Sequence, residues 1–233
     1  MRGFDVLATM RDPSAGESLR AEAEGAAGRL EVERLDVTEP EALRVPDGLR
    51  VLVNNAGLDR EYLPVEHTPL SQWRAMFETN LFGVVEITRL AIPALRRGGG
   101  GVVCNVTTCS TLVGVPLFSV YRASKAAVSA FGESLQTEVA PFGIRVLEVM
   151  PGPIETDMLA ASDRLPEGAR HEGYLAPAEN LLRGRRAVAH LTASPAAAAE
   201  RIVDAILDDD APLRVACDPL GEAQLGAWRA GRA

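Results

Sequence analysis

Val51-Leu-Val-Asn-Asn-Ala-Gly57 is a short apolar run that stops abruptly on two amides and two small residues. A strand that is apolar on both faces has to be covered on both faces, which places it inside a parallel sheet. The small residues at its end let backbone come close to a bound molecule. Working outward from this run, similar stretches recur at residues 4–10, 30–35, 101–107, 144–149 and 213–216. Helical patterns lie between them at 17–27, 70–97, 119–141, 156–161, 177–190 and 195–207. Between the second and third runs only 39–49 is left, room for one short helical turn. Such alternation predicts an α/β fold, a doubly wound parallel sheet with helices on both faces. At 233 residues the chain suits one such domain, 1–233, with a sizeable core.

Composition narrows the function. Hydrophobic residues are 47% and charged residues 24%, ordinary for a globular enzyme. A formal charge of −8 without a basic stripe excludes the electrostatic footprint of a nucleic-acid binder. Cys104, Cys109 and Cys217 are odd in number and form no CxxC pair, which argues against a disulfide framework. His67, His171 and His190 also lack ligand spacing, so no metal site is expected. The apolar run near residue 4 is short and broken by Arg11, Asp12 and Pro13. It reads as neither a secretory signal nor a membrane span, and a cytoplasmic protein is expected. Among 24 basic residues, Lys125 is the single lysine. Arginine serves here wherever a generic positive charge suffices, so a lysine marks a place where a compact charge with a tunable pKa is wanted.

That lysine closes Tyr121-Arg-Ala-Ser-Lys125, near the start of the helical pattern at 119–141. Residues four apart share a helix face, so phenol and ammonium project together. A nearby cation favours the phenolate and is expected to lower the tyrosine pKa toward working pH. Tyr121 could then exchange a proton with a carbonyl or alcohol oxygen. Tyr-x-x-x-Lys alone arises by chance, and a partly exposed tyrosine beside a surface lysine is the plain alternative. Thirteen residues upstream stands Thr108, just past the run at 101–107. Its hydroxyl could bond a substrate oxygen opposite the phenol, or simply its own backbone. Asn80 is a polar residue within the helical Phe77-Glu-Thr-Asn-Leu-Phe-Gly83, and Pro151-Gly-Pro-Ile-Glu-Thr156 follows another apolar run.

Asn54-Asn-Ala-Gly57, Thr79-Asn-Leu-Phe-Gly83, Asn105-Val-Thr-Thr108, Tyr121 to Lys125, Phe142-Gly-Ile-Arg-Val146 and Pro151 to Thr156 occur in an order and spacing that resemble the short-chain dehydrogenase/reductase family. The likeness runs from about residue 3 to 156, and its wording is closest to the hydroxysteroid and retinol dehydrogenase-like branch. It implies a Rossmann-type sheet and an NAD(P)-dependent oxidoreductase acting on a carbonyl or alcohol. Tyr121 would be the catalytic acid/base, and Lys125 would lower its pKa and hold the nicotinamide ribose. Asn80 would hold a water on a proton relay to Lys125. Thr108 would stand where the family usually carries serine. Asn54, Ala56 and Gly57 would line the adenine-ribose side, Asp36 would contact adenine, and Pro151, Gly152, Ile154 and Thr156 would border the nicotinamide. Met10 occupies the place of the acid that selects NAD, with Arg11 beside it, which favours NADP(H) over NAD(H). A substrate lid is expected at about 155–190, an apolar carbonyl compound as substrate, and a homodimer or homotetramer as the assembly.

One departure is large. The family begins with a strand, a TGxxxGxG turn and a helix, and no such turn is found in this sequence. That turn sets backbone N–H groups against the pyrophosphate, and its strand normally fills the centre of the sheet. Three accounts fit: an internal methionine recorded as the start, a degenerate relative, or a partner chain that supplies the piece. The strands flanking the missing one are then expected to be left apart or forced together. A non-catalytic relative that binds a ligand or partner is the alternative function. A serine hydrolase is disfavoured because the sequence has no GxSxG elbow.

Overall fold

All six apolar runs form strands in the computed structural model, which describes residues 2–39 and 45–232. They are β1 Val6–Met10, β2 Leu30–Arg34, β3 Val51–Asn54, β4 Gly101–Val106, β5 Ile144–Val149 and β6 Arg214–Val215. The strands divide between a two-stranded sheet, β1-β2, and a four-stranded sheet, β3-β4-β5-β6, and every ladder is parallel. This is the α/β class expected, with the strands in two sheets rather than one. Packing likewise separates the chain into two compact units, 1–44 and 45–233.

In the first unit Asp12 accepts a hydrogen bond from Ser14 N at 3.0 Å, capping the turn Pro13–Gly16 that leads into α1 (Glu17–Glu22). This helix stops short of the expected residue 27 because Gly25 and Gly28 take positive φ angles of 74° and 95°. At Gly28 a Cβ would lie 2.1 Å from Phe4 O, so only glycine admits the chain there. The expected turn over 39–49 falls partly outside the described residues.

The second unit has the layers that alternating apolar strands require. On one face of its sheet Val103, Ile144 and Val146 pack with Leu95, Leu135 and Val139. These last three belong to α3 (Gly83–Arg97) and α4 (Ser119–Val139). On the other face Val102, Cys104, Leu147 and Val149 pack with Ala198 and Ile206 of α7 (Pro195–Leu207). Neighbouring residues of one strand serve opposite faces, which is why these strands read as unbroken apolar runs. Where α3 hands over to β4, Gly100 has φ of 118°, and a Cβ there would stand 2.3 Å from Gly143 O.

Two helical features differ from expectation. The pattern at 70–97 is not one helix: α2 (Leu70–Phe77) is joined to α3 by a π-helical turn, Glu78–Phe82. Such turns carry an extra residue and frequently mark functional sites. Beyond α5 (Asp157–Ser162) and α6 (Leu175–Ala187), a further helix, α8 (Pro219–Arg229), closes the chain. Glycines 221 and 226 hide its period in the sequence. Asp218 starts it: buried, its carboxylate accepts from Gly221 N at 2.9 Å, with Pro219 in the first turn. Among the described residues no helix is long and apolar enough to cross a membrane.

Candidate active site

The chain leaves β3 through Asn54, whose buried side chain donates to Asn105 Oδ1 at 2.8 Å and to Thr88 Oγ1 at 3.0 Å. These bonds tie β3 to β4 and α3, so the amide faces protein and only the following backbone, Asn55 to Gly57, is exposed. Asn80 sits in the π-helical turn, fully buried. Its Oδ1 accepts from Leu58 N at 2.6 Å, and its Nδ2 donates to Leu58 O at 2.9 Å and to Ser124 Oγ at 3.0 Å. The extra residue of that turn points the amide at the loop after β3, and the side chain clamps loop to helix α4.

Tyr121 and Lys125 lie in the first two turns of α4, and both turn inward. Lys125 is 4% exposed, and its ammonium donates to Val106 O at 2.8 Å. It lies 3.5 Å from where a Cβ on Gly57 would stand, with Asn80 Oδ1 3.8 Å from the same point. The glycine therefore leaves open a place that a larger residue would fill. Burial pushes the Lys125 pKa down to about 8. The phenol of Tyr121 has its pKa raised by burial first, then by the nearby Asp59, Tyr62 and Cys109. Burial dominates the phenol's shift, while the Lys125 ammonium donates to Val106 O. Both side chains nonetheless end on the same loop, Lys125 at Gly57 and Tyr121 in a small cavity lined by Asp59.

The remaining candidates are distributed as follows. Thr108 Oγ1 accepts from Ser110 N at 3.2 Å and lies 3.1 Å from Ser110 Oγ and 3.5 Å from Pro151 O. It caps the short turn Cys109–Leu112, the backbone-bonded alternative raised above. Pro151 O also accepts from Cys109 N at 2.9 Å, which holds the ends of β4 and β5 together. Gly152 N donates to Asp218 at 2.6 Å, and a Cβ on Gly152 would stand 2.5 Å from that carboxylate. Ile154 packs on the α7 side of the core, and Thr156 caps α5. Arg11 and Asp36 belong to the first unit, at the carboxyl ends of β1 and β2. Thr38 holds the Asp36 carboxyl below its usual range, and Arg11 adds a smaller pull in the same direction. Met10 and Val32 both lie against Gly16, while Arg11 is exposed.

Sequence reasoning missed a second group around Tyr121. Tyr62 OH donates to Asp59 at 2.5 Å, and its ring stacks on Phe118 with centroids 4.5 Å apart. The Arg185 guanidinium lies 4.4 Å from the Tyr62 ring and 5.1 Å from the Phe118 ring, and donates to Ser162 O at 2.6 Å. Phe118 meets Tyr121 edge-on at 5.9 Å. Positions 59, 62, 118 and 185 form no motif, so nothing in the linear pattern joins them. Beside them a cleft of about 450 Å³ runs between residues 57–62 and 157–167. All three cysteines are buried, and burial pushes Cys104 and Cys109 up to about 12 and Cys217 to about 11, so none is a ready nucleophile.

With the half-buried Tyr121 and the buried Lys125 on one helix beside the loop after β3, comparison with known proteins identifies the family. A sequence profile of the short chain dehydrogenase family matches residues 1–166. The chain belongs to that family. "Uncharacterized oxidoreductase YusZ" of Bacillus subtilis is 36% identical over 170 residues, 69% of this chain and 60% of that protein. Human "Retinol dehydrogenase 8" is 36% identical over 160 residues, 66% of this chain and 51% of that protein. The alignments to YusZ and human retinol dehydrogenase 8 thus span 60% and 51% of those proteins' length. A crystal structure of a short-chain dehydrogenase from Streptomyces avermitilis superposes with a TM-score of 0.75 at 31% identity, over 97% of this chain and 83% of that one. A 7α-hydroxysteroid dehydrogenase complexed with NADH and 7-oxoglycochenodeoxycholic acid gives 0.60 at 25% identity over 68% of this chain and 64% of that one.

The family implies a nicotinamide cofactor, and one end of the site suits it. Lys125 is a buried ammonium with three N–H donors and, among the described residues, one acceptor, Val106 O. Its two remaining donors would serve a pair of ribose hydroxyls beside Gly57, where no side chain stands.

Proposed function

We propose that the chain is a nicotinamide-dependent oxidoreductase that interconverts a small carbonyl compound and its alcohol, with Tyr121 as the acid/base. The observation that carries this reading is the convergence of a half-buried phenol and the chain's one lysine on the same loop, where Asn80 holds the backbone in place. The cofactor, when bound, supplies or accepts the hydride. The chain's own residues do the rest.

With its pKa raised, Tyr121 is protonated at neutral pH and suits donation to a carbonyl oxygen, the reductive direction. Lys125, with a pKa near 8, would still be charged there and would grip the ribose hydroxyls through its two remaining donors. Thr108, helped by Ser110, would add a hydrogen bond to the same substrate oxygen. Gly57, Ala56 and the 151–156 segment would border the cofactor through backbone. Arg11, exposed at the carboxyl end of β1 beside Met10 rather than an acidic residue, supports NADP(H) over NAD(H). The family's habit of pairing subunits supports a homo-oligomer.

Replacing Tyr121 by Phe removes one hydroxyl and is expected to lower carbonyl reduction at least about a hundredfold with an unchanged melting temperature. Full activity in that variant would remove the hypothesis. Titration with NADPH and NADH tests the cofactor: tighter NADH binding would reverse the assignment of Arg11. Binding of neither would favour a non-catalytic relative.

A further inference from the structure

Among the described residues no hydrogen bond reaches the Tyr121 hydroxyl. Tyr121 instead lines a cavity of about 10 Å³, room for about one water. Asp59, Tyr62, Thr68 and Gln72 share that wall, so a water there would find the polar partners it requires. Residues 59–62 also line the cleft of about 450 Å³, and Tyr121 is not among the residues of that cleft. This stretch therefore stands between the cleft and the phenol, and two of its residues carry carboxylates. Glu61 is exposed, whereas Asp59 is half-buried and its charge reaches the phenol. The Asp59 carboxylate is also fixed in place: Oδ1 accepts from Arg60 N at 2.9 Å and Oδ2 from Tyr62 OH at 2.5 Å. Tyr62 in turn is held by its stack on Phe118, with the Arg185 guanidinium beside the pair.

We propose that Asp59 is a positioning residue for proton return: its carboxyl group hands protons from the cleft, through a water in the small cavity, to Tyr121. This rests on the oxidoreductase reading and adds the path by which its acid is recharged. In reduction the Tyr121 O–H bond breaks, and its proton forms the O–H bond of the new alcohol, whose carbon has gained the hydride. The phenolate left behind takes a proton from the cavity water. That water takes one from the Asp59 carboxyl, and solvent in the cleft restores it. One proton thus enters for each hydride transferred, and Tyr121, the water and Asp59 end the cycle as they began. Burial raises the Asp59 pKa above that of a free carboxyl, which suits a carrier that must hold a proton before passing it. Tyr62 pulls the other way, because its hydroxyl bonds the ionised form.

The test follows reduction of cyclohexanone and acetophenone with NADPH and with NADH across pH, in the whole chain and its variants. Asp59→Asn keeps the shape without a carboxyl to titrate. It is expected to lower kcat at least about tenfold while KM for ketone and cofactor stays unchanged. In the wild type, reduction slows as pH rises through the Asp59 pKa and the carboxyl loses its proton; in Asp59→Asn that limb disappears. Tyr62→Phe removes the bond that holds the carboxyl pKa down, so the limb moves to higher pH. Asp59→Glu should recover part of the rate, and Glu61→Gln should behave as wild type. Tyr62→Phe decides the matter if Asp59→Asn melts early, and an unmoved limb there overturns the proposal. Asp59→Asn with the wild-type kcat and limb overturns it too, as does an equal loss in Glu61→Gln. A wild type that reduces neither ketone with either cofactor sinks the oxidoreductase reading and the relay with it. An active wild type with indifferent variants sinks the relay alone.

Discussion

Lys125 is the residue on which most of the proposed chemistry turns, and its burial has a measurable consequence. Its folded pKa, about 8, lies below the 10.5 of a free lysine. Between these values the unfolded chain binds more protons than the folded one, so this group's contribution to stability rises with pH across that window. The penalty is fully present below pH 8 and gone above about 10.5. The raised thiols of Cys104, Cys109 and Cys217 act in the opposite sense above pH 9, where the unfolded chain loses protons first. Comparison with Lys125→Met isolates the lysine. The variant's advantage over wild type in urea unfolding should shrink by on the order of 3 kcal/mol between pH 7 and pH 11. A pH-independent difference would show that the ammonium is not buried as described. Composition alone singled this residue out, as the one lysine in a chain whose other basic residues are all arginine. The rise of the Tyr121 pKa was not legible, since spacing reports who shares a face and says nothing about how much water is left there.

At the scale of elements, strands were read well and helix ends poorly. All six strands sit within the apolar runs, and the pattern at 195–207 coincides with α7. Period-two and unbroken apolar runs survive in a sequence because packing on both faces enforces them. The π-helical turn at Asn80 and helix α8 escaped, because one depends on a bond to Leu58 and the other begins from a cap, Asp218-Pro219, beneath a glycine-rich surface. Buried Glu148 of β5 is another feature that no period could reveal. It accepts from Thr107 Oγ1 at 2.9 Å, from Ser129 Oγ, and from Arg214 Nε at 2.9 Å, joining the residue after β4 to α4 and β6. Glu148→Ala strands those donors, and a loss of about 3 kcal/mol in urea unfolding is expected, with Glu148→Gln losing less. Asp218→Ala removes both the cap of α8 and the acceptor for Gly152 N, for about 2 kcal/mol by the same measurement.

For the whole molecule, the two sheets differ in how much holds them. Among its described residues the first unit has two strands and one six-residue α-helix. The second has four strands with helices on both faces. Two-stranded sheets are marginal in water, whereas buried central strands open only with global unfolding. In hydrogen exchange followed by mass spectrometry, amides of β1 and β2 should exchange at least tenfold faster than those of β4 and β5. Equal protection in both would contradict this ranking.

A single lysine, sealed beneath a loop, also makes this chain an unusually clean reporter. Amine-directed acylating reagents have no other side chain to attack, so a labelled peptide spanning position 125 can arise only from molecules whose pocket has opened. Its appearance over time counts those openings one by one, and a ligand that rests on the ammonium would silence the signal.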